Sequence, residues 1–98
     1  MEEFEFGRKL AEVAVRYARG DEEVLESFLT DMGMPFRRKD RIYFVGRPGR
    51  PRTTLVPGDP VEVFVSLAHV FLGLTWFLGP VGQEGLRELC RLYAKEGE

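Results

Sequence analysis

Cysteine is almost missing from this chain, with Cys90 alone among 98 residues. An internal disulfide is therefore excluded, and the composition points to a reducing compartment, with a cytoplasmic location expected. Histidine is as scarce, represented by His69 only. One histidine and one cysteine cannot assemble the ligand set of a structural zinc site, so no metal and no cofactor are expected. Ser66 precedes His69 by one helical turn, a poor geometry for a nucleophile and its base, and no third member accompanies them. The expected role of His69 is a hydrogen-bonded core residue, that of Cys90 a buried thiol on a helix stripe. The glycines match neither a phosphate-binding loop nor a dinucleotide fingerprint. The chain is accordingly read as non-enzymatic. Asparagine is absent, glutamine occurs once, and arginine outnumbers lysine eleven to three. So few thermolabile amides fit a thermophilic protein. The opening MEEFEFGRKL is acidic and amphipathic, which is not the pattern of a signal peptide.

What the chain has in quantity is positive charge in one place. Its net charge is -2, yet residues 32–56 carry seven cations and one acid, whereas residues 1–31 carry nine acids and four cations. With 44% apolar and 31% charged residues the composition is that of one globular domain, residues 1–98, with a modest core.

The expected architecture is α+β in the order ααββαα. Residues 1–33 read as an αα-hairpin. Phe6, Leu10, Val13, Ala14 and Tyr17 recur at helical spacing, and Val24, Leu25, Phe28, Leu29 and Met32 do so after Gly20 and a capping Asp21. Residues 36–56 read as a basic β-hairpin of RIYFV and RTTLV around a GRPGRP loop, with Phe36 to Lys39 as a candidate third strand turning at Asp40. Alternation places Ile42 and Phe44 on one face, and Arg41, Tyr43 and Val45 on the other. PGDPVE opens an apolar helix over residues 59–79, with Asp59 as cap and Pro60 at its first position. A last helix spans residues 83–96, with Leu86, Leu89, Cys90 and Tyr93 on one face.

Residues 63–82 hold no charged side chain apart from His69 when protonated. The segment is long enough for a membrane span, but the preferred reading is a central core helix that covers the apolar faces of its neighbours, with Phe64, Leu67, Phe71, Leu74 and Leu78 buried. Trp76 and Phe77 near its end are the expected protein interface, and a homodimer is expected.

The functional expectation rests on Arg37, Arg38, Lys39, Arg41, Arg47, Arg50 and Arg52. Like charges this close repel one another unless an anion is near. That anion is either the protein's own acidic helix, through Glu22, Glu23 and Glu26, or an external phosphate. Arg47 and Arg50, on a proline-stiffened tip reaching beyond the helices, favour phosphate, whose oxygens match the guanidinium fork. Gly49-Arg50-Pro51 resembles part of the Arg-Gly-Arg-Pro core of the AT-hook, a minor-groove element, with Pro48 standing in place of the first arginine. An outward Tyr43 would be able to stack on a base. The expected function is a small regulatory or accessory protein contacting DNA or RNA backbone. The alternatives are an adaptor or inhibitor that binds an acidic protein surface, and a single-span membrane protein.

Overall fold

A computed structural model describes residues 2–96; Met1, Gly97 and Glu98 lie outside the described residues, as do the side chains of Lys95 and Glu96. The chain runs α1 (Glu3–Ala18), α2 (Glu22–Asp31), β1 (Phe36–Lys39), β2 (Ile42–Val45), β3 (Thr53–Leu55), α3 (Pro60–Leu72) and α4 (Pro80–Glu96), with a short 3-10 helix at Trp76–Leu78. This is the expected α+β class and order. The third strand is present, giving an antiparallel sheet ordered β1-β2-β3.

α1 is the most enclosed element. It packs against α2, α3 and α4, and it buries Leu10, Ala11, Val13, Ala14, Val15 and Tyr17. Its crossing with α4 is made of glycine. A Cβ on Gly7 would collide with the Val81 carbonyl oxygen, and one on Gly85 would fall 2.9 Å from the Gly7 carbonyl oxygen as well as 2.7 Å from the Phe64 ring of α3. Neither space admits a side chain, so the two backbones approach until only Gly fits. The buried line of α4 consequently runs through Gly82, Gly85 and Leu89, with Leu86 half-buried and Cys90 and Tyr93 exposed. The expectation of a buried Cys90 is thus wrong. A hydropathy stripe does not count glycine, and here glycine is the contact.

The helix starts are where capping chemistry puts them. The Asp21 carboxylate accepts from the Val24 N–H at 3.2 Å, and Asp59 Oδ1 accepts from the Val61 N–H at 2.9 Å. The apolar helix is shorter than expected. α3 ends at Gly73, whose backbone is left-handed (φ 97°), and the chain then doubles back so that Trp76 meets Phe64 edge-on at 5.5 Å. That contact requires the reversal, because a helix continued to Gly79 would carry Trp76 away from Phe64. α4 in turn starts at Pro80 rather than Gln83, with the Gln83 N–H bonded to the Gly79 carbonyl. Proline suits a first helical position.

Only one side of α3 is covered. Val63, Phe64, Leu67 and Ala68 are buried and Phe71 is half-buried, but Val61 and Val65 stand at the surface. Leu74 and Leu78, expected in the core, are 72% and 73% exposed on the connection to α4. Among the described residues no helix is long and apolar enough to cross a membrane.

Candidate nucleic-acid interface

The sheet has one face against the helices and one face open. Cross-strand pairs Arg38↔Tyr43 and Tyr43↔Leu55 define the inner face, while Arg37↔Phe44 and Phe44↔Thr54 define the outer. Tyr43, Val45 and Leu55 are buried, whereas Phe44 is 40% exposed. The condition for stacking by Tyr43, an outward ring, is therefore not met, and the ring offered to solvent is its neighbour, Phe44. Alternation separates these two rings correctly. Which face turns inward is decided by α1, whose Tyr17 meets Tyr43 edge-on at 5.6 Å.

Tyr17 is also what orients the sheet. Its hydroxyl lies 2.6 Å from the Arg41 carbonyl and 2.8 Å from the Leu55 carbonyl, so one proton serves acceptors at the β1–β2 turn and on β3. Burial first, then the proximity of Tyr43 and Glu22, hold its pKa well above the usual tyrosine value. Tyr43 is pushed up to about 12, chiefly by burial and then by the Glu26 carboxylate. Its buried hydroxyl lies near the Glu26 carboxylate without a well-formed hydrogen bond to it.

The seven cations divide on this frame. Arg38 is on the inner face and is neutralised from within: its guanidinium lies 3.1 Å from Glu22 and 3.5 Å from Glu26 of α2, and 5.9 Å from the Tyr43 ring centroid. The internal answer to the basic segment thus holds for one residue. Arg37, Lys39, Arg41, Arg47, Arg50 and Arg52 are exposed, and among the described residues none of them has a carboxylate within ion-pairing distance. Arg38 leaves the candidate interface and the other six remain in it.

The tip is an ordered turn. Pro48 and Gly49 (φ 77°) occupy its centre, and the Arg50 N–H donates to the Arg47 carbonyl at 3.1 Å. Proline followed by glycine at positive φ is the pattern of a type II turn, and it sets Arg47 and Arg50 side by side. The expectation that the tip stands clear of the helices is wrong. Arg47 Nη2 reaches the Gly33 carbonyl at 3.5 Å, and Arg47 and Arg50 line a cleft of about 300 Å³ with Met34, His69 and Gly73. His69 is half-buried at that cleft rather than a core residue.

A second cleft, of about 190 Å³, opens on the outer face between Arg37 and Arg52, with Phe44, Pro35 and Pro48 among its walls. The expected interface residues Trp76 and Phe77 have separate fates. Trp76 is half-buried on Phe64, while Phe77 is 47% exposed beside Leu74 and Leu78. Among the described residues, no three His, Cys, Asp or Glu side chains are grouped as metal ligands would be. No protein-family model, no curated protein and no solved structure matches the chain.

Proposed function

We propose that this protein is a non-enzymatic regulatory or accessory protein of the cytoplasm that contacts nucleic-acid backbone through the open face and tip of its basic sheet. The observation that carries the reading is the lack of internal neutralisation. Six exposed cations on one short segment repel one another with no carboxylate partner among the described residues, in a chain whose net charge is negative. Polyphosphate relieves that repulsion, and arginine forks give it direction. The type II turn adds preorganisation, since Arg47 and Arg50 are already adjacent before anything binds.

The test is anisotropy titration of labelled DNA and RNA with wild type and with an Arg47→Ala/Arg50→Ala/Arg52→Ala variant of unchanged thermal midpoint. Six phosphates neutralised on a single strand give a log–log salt slope of about -4, and removing three cations reduces it by about 2. Equal affinity of the two proteins for every nucleic acid tried overturns the reading. Tight binding to an acidic protein surface that excess nucleic acid does not displace would favour the adaptor or inhibitor reading instead.

A further inference from the structure

We infer that the outer face of the sheet is a base-stacking platform for single-stranded nucleic acid, with Phe44 as the stacking ring between the phosphate-binding arms of Arg37 and Arg52. This rests on the backbone-binding reading and names the form of nucleic acid it takes. Phe44 occupies the central strand, directly across from Arg37 on β1 and Thr54 on β3. It is 40% exposed, and among the described residues no other ring pairs with it and no guanidinium lies over its face. The cleft of about 190 Å³ beside it joins apolar surface from Phe44, Pro35 and Pro48 to two exposed arginines.

Each part of that cleft has a counterpart in one nucleotide unit. The ring and prolines present flat apolar surface to a base, and the guanidinium groups meet the phosphates on either side. A duplex does not offer this match, because its bases are already stacked and expose only their edges. An acidic peptide would satisfy the arginines but leave Phe44 without a planar partner. An unpaired strand is the occupant that uses both the charge and the ring.

The experiment compares wild type, Phe44→Leu and Phe44→Trp on four labelled probes or competitors: a single-stranded oligonucleotide, its duplex, an abasic oligonucleotide of equal charge, and polyglutamate. Wild type is expected to prefer the single strand over the duplex and the abasic probe. Phe44→Leu keeps an apolar, exposed side chain and is expected to weaken single-strand binding about 5- to 100-fold without altering the salt slope, with Phe44→Trp restoring it. Ultraviolet crosslinking of the single strand, mapped to Phe44, gives a readout independent of affinity. If Phe44→Leu binds as wild type does while the triple arginine variant is weakened, the stacking inference fails and backbone binding stands. The stacking inference fails in the same way if the abasic probe binds as tightly as the intact strand. If no nucleic acid binds, or polyglutamate competes as well as the oligonucleotide does, both readings fall.

Discussion

Arg37 and Arg38 are adjacent in sequence and alike in chemistry, yet they belong to different parts of the molecule. Arg38 faces α2 and is held by Glu22 and Glu26, over Tyr43. Arg37 faces outward across from Phe44, with no carboxylate in reach among the described residues. The same contrast separates Tyr43 from Phe44, one buried and one exposed. A strand of alternating side chains thus carries structure on one face and an unanswered surface on the other. The inner residues are held by contacts that the fold itself supplies. The outer ones, Arg37 and Phe44, are exposed to solvent.

The contrast can be broken most forcefully at its inner side. Tyr17→Phe removes the one hydroxyl that serves the Arg41 and Leu55 carbonyls, and is expected to cost about 1–3 kcal/mol of unfolding free energy in urea titration. A cost indistinguishable from zero would mean that solvent reaches those carbonyls and that the sheet is not clamped by α1. Next in size is the arginine pair. Arg38→Ala should lower stability by up to about 1 kcal/mol, because it breaks a half-exposed ion pair. Arg37→Ala should stay within about 0.5 kcal/mol of wild type while weakening nucleic-acid binding. The reverse pattern, with Arg37 structural and Arg38 needed for binding, would dissolve the two-faced picture.

The smallest effect, and the sharpest, belongs to Tyr43→Phe. The hydroxyl it deletes is buried beside Glu26 without a well-formed hydrogen bond, so stability near neutral pH should change by less than about 1 kcal/mol. In alkali the same substitution should help visibly. The folded state holds the Tyr43 proton up to about 12, whereas an unfolded tyrosine releases it near the ordinary value of about 10. Unfolded chains therefore bind fewer protons above that point. The stability contributed is full below about pH 10 and is lost as pH rises towards 12. Chemical denaturation at stepped alkaline pH should show a shallower decline for Tyr43→Phe than for wild type. An identical decline would place the alkaline sensitivity elsewhere, in Tyr17 first.

Much of this was written in local residue patterns. Asp21 and Asp59 started their helices, Asp40 turned β1 into β2, and Pro48 with Gly49 made the tip, because each acts through backbone geometry within a few residues. The period-two alternation of IYFV likewise separates Tyr43 from Phe44 without reference to any tertiary contact. Local pattern misled where a partner distant in sequence prevailed. Trp76 turned back to Phe64 and cut the apolar helix short, and Gly7 met Gly85 and shifted the buried line of α4 off Cys90.

The sequence by itself determined the order of elements and the concentration of arginine, since propensity, capping and charge are properties of neighbours along the chain. Tertiary structure alone decided which sheet face turned inward, which of seven cations found a carboxylate, and which ring was left in water. Strand alternation is symmetric between its two faces. Only the packing of α1 and α2 against one of them, through Tyr17, Glu22 and Glu26, breaks that symmetry.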